Sequence, residues 1–403
     1  MTVHASTQAD GSAIVTIAGN RQKVIGGSVQ ETRMKVSALV VAHAHDTGEP
    51  QRFQATEPDG TWSMVVYPDG RIENEEAAAD TDSTSRTYFQ QEPVTSPVTE
   101  RRSFLRNQAA EKPATRGWRG VATRAGLRMA PSADEAAERA DVRAVSQHWP
   151  GPRTIAMLNG KGGVGKTMTT INLSAVFARN GGAGVLAWDN NQTRGTLGWS
   201  TEQGPHEATI LDLLPKVPSF LGPAAQGSDL ARYVHHQTTD KFDVLRSKPE
   251  VLATEQRFDG ETVDEIHRVA SKFYRLIFMD SGNDETDPMW IRAVELSQQI
   301  VVPTIAEAKG AESAALLLES LAARGGHFAN LAANAVVIVS QHKYDVPSRE
   351  LKEIAEGFAG LAREVVTIPY DPALGADLLS YEGLQPRAQR AWLRAAAAVA
   401  RGL

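Results

Sequence analysis

Short apolar runs open the chain, and longer, regularly spaced ones follow. Residues 13–18 (AIVTIA) form a β-prone run, and a helical stretch follows it. Ser28-x-x-Glu31 fits a capping box for that helix, because each side chain can satisfy a free amide at the helix start. Gly48 suits the position just past its end. Three further β-prone runs, 52–56, 62–67 and 71–73, are separated by Pro58-Asp59-Gly60 and Pro68-Asp69-Gly70. Proline presets φ and glycine accepts a positive φ, so both tripeptides read as turns. The pattern predicts a small α+β unit over residues 1–75, with one helix on a three- or four-stranded sheet. No chemistry is visible in it. It reads as an interaction module or as a purely structural appendage.

From residue 153 the rhythm changes. Apolar β runs at 153–158, 184–188, 242–245, 275–279, 299–303, 335–340 and 365–368 alternate with helical stretches such as 167–179, 311–323 and 349–359. Strands alternating with helices predict an α/β fold, a mostly parallel, doubly wound sheet covered on both faces. Residues 76–130 separate the two units. An acidic run (Glu73, Glu75, Glu76, Asp80, Asp82) leads into a Ser/Thr/Pro/Gln-rich stretch with too few apolar residues to offset its chain entropy, so a flexible linker is expected. Residues 101–130 then turn basic, with Trp118 interleaved among the arginines. This part is either an electrostatic arm for DNA or anionic lipid, or a solvated segment that packs Trp118 on the main domain. A short helix over 132–146 leads into the main domain, assigned to 131–403.

Composition narrows the function. The 403 residues contain 42 Lys+Arg and 48 Asp+Glu, a net charge of −6, which excludes a wholesale basic coat for nucleic acid. There is no cysteine, which excludes disulfides, thiol catalysis, cysteine-held zinc and iron–sulfur clusters. No apolar run reaches the ~18 residues of a membrane span, and the polar start has no apolar leader core, so a cytoplasmic protein without integral membrane association is expected.

The sharpest chemical signal is Gly160-Lys161-Gly162-Gly163-Val164-Gly165-Lys166-Thr167, which matches G-x-x-x-x-G-K-[ST] between a strand and a helix. Backbone amides of such a loop close around a phosphate, and the positive end of the following helix dipole points at it. Lys166 is placed to reach the β/γ-phosphates of ATP and the Thr167 hydroxyl to ligate Mg²⁺, with Met168 next in the first helical turn.

With its second lysine, K-G-G-x-G-K-T resembles the deviant Walker A box of the ParA/MinD family of P-loop ATPases. The resemblance covers roughly residues 153–403. It implies an ATP-driven homodimer in which Lys161 reaches the partner's nucleotide. Leu276-Ile277-Phe278-Met279-Asp280 is similar to the family's Walker B strand, which implies that Asp280 holds the Mg²⁺ shell. Gly282 matches the glycine whose amide senses the γ-phosphate. Ile368-Pro369-Tyr370-Asp371 resembles the segment bordering the adenine, which implies contacts from Pro369 and Asp371 to the base. One departure stands out. The family's D-x-D-P-Q reads Asp189-Asn190-Asn191-Gln192 here. Asn191 falls where the second Asp positions the attacking water, and an amide cannot accept the water's proton. Slow hydrolysis is therefore expected, unless Asp189 substitutes. Arg194, in the switch I stretch after it, is a candidate charge stabiliser.

The family's DNA-binding members use scattered basic surface residues. Arg387, Arg390, Arg394 and Arg401 share one helix face near the C-terminus, and with 101–130 they are the candidates for non-specific DNA. The tail lacks a bulky apolar stripe beyond Trp392 and Leu393, so a membrane-anchoring helix is not expected. The arrangement also resembles ParA-like ATPases associated with actinobacterial type VII secretion. Two functional readings follow. One is an ATPase that partitions DNA or positions a partner complex. The other is a weakly hydrolysing, nucleotide-dependent scaffold or regulator of a secretion or conjugation machine, with the N-terminal unit docking an unknown protein partner.

Overall fold

The structure is a computed structural model that describes residues 2–7, 12–26, 29–57, 60–69, 71–74, 112–182, 184–191, 195–247 and 258–403. The chain divides into two compact units, Met1–Arg106 and Asn107–Leu403.

Among the described residues, the first unit is a six-stranded sheet with one helix. Its elements are β1 (Thr2–Thr7), β2 (Ala13–Ile17), β3 (Asn20–Val24), α1 (Val29–Thr47), β4 (Gln51–Glu57), β5 (Gly60–Val66) and β6 (Ile72–Asn74). The order is β3-β2-β1-β4-β5-β6, with β1 and β4 parallel and the other pairs antiparallel. Val36, Val40 and Ala44, spaced four apart on α1, bury against Val3, Val15 and Phe53. The sheet is larger than the three or four strands expected. β3 was hidden because only Val24 of it is buried, so it lacks the alternation that marks a strand. Ser28, Pro58, Asp59 and Gly70, to which the capping box and the two turns were assigned, lie outside the described residues.

Among the described residues, the second unit is an eight-stranded sheet between two helical layers. Its strands are β7 (Arg153–Met157), β8 (Val185–Asn190), β9 (His235–His236), β10 (Asp243–Leu245), β11 (Leu276–Ser281), β12 (Gln299–Ile305), β13 (Val336–Ser340) and β14 (Glu364–Ile368). The order is β14-β13-β12-β7-β11-β8-β10-β9, and only β9 runs antiparallel. Helices α2 (Gly117–Arg124), α3 (Ala133–Val145) and α4 (Lys166–Gly181) precede β8. The short helices α5 (Ile210–Leu213), α6 (Val217–Leu221) and α7 (Gly227–Leu230) lie between β8 and β9. Then come α8 (Gly260–Phe273), α9 (Pro288–Leu296), α10 (Ala308–Arg324), α11 (Gly326–Ala333), α12 (Ser348–Gly357) and α13 (Pro386–Ala400).

α3, α4 and α13 cover one face, with Phe177 and Trp392 against Ile155, Met157 and Phe278. α8 to α11 cover the other. Central strands buried on both faces explain their unbroken apolar runs. From β7 the chain crosses to β8 on one side of the sheet, and β11 later leads to β12 on the other. The crevice at the carboxyl end of β7 is the place where open α/β sheets bind ligands.

Two expectations are corrected. Residues 112–130 are built onto this unit rather than left in a linker. Thr115 donates from its amide (2.9 Å) and hydroxyl (2.6 Å) to Glu135 Oε1, and Arg139 ties down the carbonyls of Lys112 and Pro113. Trp118 does not pack inward: it is 69% exposed, as are neighbouring Val121 and Leu127 at 64%. The arginine stripe of α13 is also partly consumed. Arg390 pairs with Asp141 (2.7 Å) and Arg401 with Glu364 (2.6 Å), so both lock α13 to its neighbours. Arg387 donates to the Tyr370 carbonyl, and Arg394 is exposed.

Candidate functional site

Asn159, fully buried after β7, fixes the loop that follows. Its amide nitrogen donates to the Pro303 carbonyl (2.9 Å), and its Oδ1 accepts from the Lys161 amide and the Ser313 hydroxyl, both at 2.9 Å. The loop enters α4 through Gly165, whose φ of +92° is one that only glycine adopts without strain. The first amides of α4 and its dipole face the loop.

Lys166 is buried at this entry. Its Nζ donates to the carbonyls of Asn159 (2.9 Å) and Lys161 (3.2 Å) and to Asn283 Oδ1. Burial pushes its pKa down, and the nearby Asp280 opposes that shift. The Thr167 hydroxyl donates to Asp280 Oδ2 (2.6 Å) and lies 2.9 Å from the Thr196 hydroxyl. Asp280 is the penultimate residue of β11, and among the described residues its other oxygen, Oδ1, is buried with no partner in hydrogen-bonding geometry. Burial raises the Asp280 pKa to about 6, against the hydrogen bond from Thr167 and the charge of Lys166.

Asp189 lies opposite Asp280 on neighbouring β8. Burial, and then the charge of Asp280, raise its pKa to about 8. It is 2% exposed, and Ser247 donates to its Oδ2 (2.8 Å). Gly195 presses on the carboxylate so closely that a Cβ there would lie 1.9 Å from Oδ2.

Of the residues singled out in the sequence, Gly162, Gly163, Gly165, Lys166, Thr167, Met168, Asn191, Asp280 and Gly282 line one cleft of about 980 Å³. Gly160, Lys161, Val164, Asp189, Pro369 and Asp371 do not line it. Val164 is buried, and Lys161 is half-buried. Asp371 caps the turn after β14, accepting from the amides of Ala373 (3.0 Å) and Gln385 (2.7 Å), so both its oxygens already serve the backbone. Asp189 sits behind Gly195, so substitution for Asn191 at the cleft is not what this arrangement supports. Gln192, Thr193 and Arg194 lie outside the described residues. Asn159, Ser247 and Asn283 escaped sequence reasoning. Asn159 and Asn283 adjoin the glycines Gly160 and Gly282, a positional hint, whereas Ser247 is distant in sequence and gave none.

A strand-to-helix glycine loop with a buried lysine, a hydroxyl and a strand-end carboxylate defines a P-loop nucleotide-binding site on a doubly wound sheet. A family model described as "AAA domain" matches residues 152–324. A chromosome-partitioning ATPase, Soj of Thermus thermophilus, is 31% identical over 171 residues, covering 42% of this chain and 61% of Soj. The ESX-1 secretion-associated protein EspI of Mycobacterium tuberculosis is 27% identical over 291 residues, covering 70% of this chain but 42% of EspI. The chain thus spans less than half the length of the EspI proteins. The crystal structure of a ParA family ATPase from Chlorobium tepidum superposes with a TM-score of 0.50 at 18% identity, over 61% of this chain and 98% of that one. The second unit is thus similar in sequence and in fold to the ParA/MinD-like P-loop ATPases.

Proposed function

We propose that this protein is a Mg²⁺-dependent ATPase whose ATP-bound dimer positions a partner. The observation that carries the reading is the convergence of Lys166, Thr167 and Asp280 on one loop at the carboxyl end of β7. These residues fit a magnesium nucleotide: amides and the α4 dipole for phosphate, and for the hydrated metal a threonine hydroxyl with a carboxylate whose second oxygen has no hydrogen-bond partner among the described residues. Bound magnesium would neutralise charge on the phosphates. Asn191 lines the cleft near Gly282 and can orient a water but not take its proton, which favours slow turnover. Lys161 lies outside its own cleft, which supports the role in a partner's site that the family resemblance implies.

The test is molar mass by light scattering with ATP and Mg²⁺. The wild type is expected to double in mass and Lys161→Ala to stay monomeric. A wild-type mass indifferent to ATP would overturn the dimer reading.

A second reading concerns the cellular task. A relative matching 70% of this chain is named as secretion-associated, and Arg390 and Arg401 are tied up in ion pairs. Both observations favour a nucleotide-dependent regulator of a secretion machine over a DNA-partitioning role. ATP-dependent retention on non-specific DNA, abolished by raised salt, would reverse that preference.

A further inference from the structure

Lys166 has three N–H bonds to give, and all three are given within the chain. Two acceptors are backbone carbonyls of the loop and of the β7 end. They cannot withdraw without unwinding that anchored backbone. The third, Asn283 Oδ1, is an exposed side chain on the segment after β11. This segment lies against the loop. An ideal Cβ on Gly162 would meet Asn283 Nδ2 at 3.4 Å, and one on Gly160 would meet Glu285 Oε1 at 2.5 Å. A phosphate entering the loop needs a donor from Lys166, and Asn283 can release one by a single side-chain rotation.

We propose that Asn283 competes with the nucleotide phosphate for Lys166, and that its displacement couples phosphate binding to movement of residues 282–287. The inference rests on the nucleotide reading of the site. A neutral carboxamide is a weaker acceptor for an ammonium than an anionic phosphate, so Asn283 sets a threshold for binding and does not block it. The displacement has a path onward. Asp284 Oδ1 takes the amide (2.9 Å) and hydroxyl (2.6 Å) of Thr286, and Asp287 Oδ1 takes the Met289 amide (2.8 Å) at the start of α9. A turn this tightly bonded passes a shift at Asn283 to the start of α9. Asn283 is thus a positioning residue acting through Lys166.

The experiment is equilibrium binding of a fluorescent ADP analogue with Mg²⁺ to the full chain, with Lys166→Ala as the blank. Asn283→Ala is expected to bind roughly 10- to 100-fold tighter, the factor of one released hydrogen bond to a charged donor. Asn283→Asp is expected to bind at least tenfold weaker, because its carboxylate holds the ammonium and repels phosphate. Binding by Asn283→Ala equal to or weaker than wild type would overturn the proposal. If the wild type binds no better than Lys166→Ala, the nucleotide reading itself falls. If it binds and Asn283→Ala gains nothing, only the role of Asn283 falls. The exposed position of Asn283 makes both variants compatible with the fold.

Discussion

Replacing Asp189 by asparagine isolates the cost of a buried carboxylate in the middle of the sheet. The side chain's ordinary pKa is 3.8, and in the fold it rises to about 8, chiefly through burial and next through the charge of Asp280. The folded chain therefore keeps this proton over a pH range in which the unfolded chain has released it. The corresponding stability is fully present below about pH 4 and is lost as pH rises towards 8. One pKa unit is worth about 1.4 kcal/mol, so a shift of roughly four units amounts to about 6 kcal/mol across that window. Asparagine keeps the shape and an acceptor for Ser247, but it has no proton to lose. Denaturant unfolding without nucleotide or Mg²⁺ is followed by tryptophan emission, to which buried Trp188 beside the site contributes. The Asp189→Asn variant is expected to match the wild type near pH 3.5 and to exceed it by several kcal/mol at pH 8. Taking the difference between the two proteins cancels the titrating groups they share apart from Asp280, whose charge is coupled to Asp189. A gap that is constant with pH, or a variant less stable than wild type at pH 8, would refute the reasoning.

Three further outcomes are expected. Gly195→Ala drives a methyl into the Asp189 carboxylate and should cost about 1–3 kcal/mol of stability, read from the denaturation midpoint. Thr167→Ala removes the hydroxyl bound to Asp280 and should weaken nucleotide binding roughly tenfold in Mg²⁺ but not in a chelator, read by titration calorimetry. Arg390→Ala leaves Asp141 without its closest partner between α3 and α13 and should cost about 1–2 kcal/mol, between the values for exposed and buried pairs, without altering ATP turnover.

The fold of the second unit was legible because its central strands are buried on both faces and read as unbroken apolar runs. The phosphate loop was legible because its glycines and Lys166 are constrained by local geometry. The first unit was read less completely. β1 and β3 carry few apolar residues, and β3 is almost wholly exposed, so periodicity could not find them. Residues 112–130 looked like linker because their anchors, Thr115 to Glu135 and Arg139 to the Lys112 carbonyl, are polar and reach twenty or more positions along the chain. The partial consumption of the arginine stripe was not legible, because its acidic partners Asp141 and Glu364 come from other elements. The third acceptor on Lys166, Asn283, lies 117 residues away in sequence and becomes visible only when β11 lies beside β7.

The most direct test of the central claim is ATP turnover by the purified chain with Mg²⁺, with Lys166→Ala as the blank and Asn191→Asp alongside. The account predicts slow turnover above the blank in the wild type and faster turnover in Asn191→Asp. Turnover indistinguishable from Lys166→Ala in both proteins, under conditions where the fold is intact, would contradict the assignment of this loop as an ATPase site.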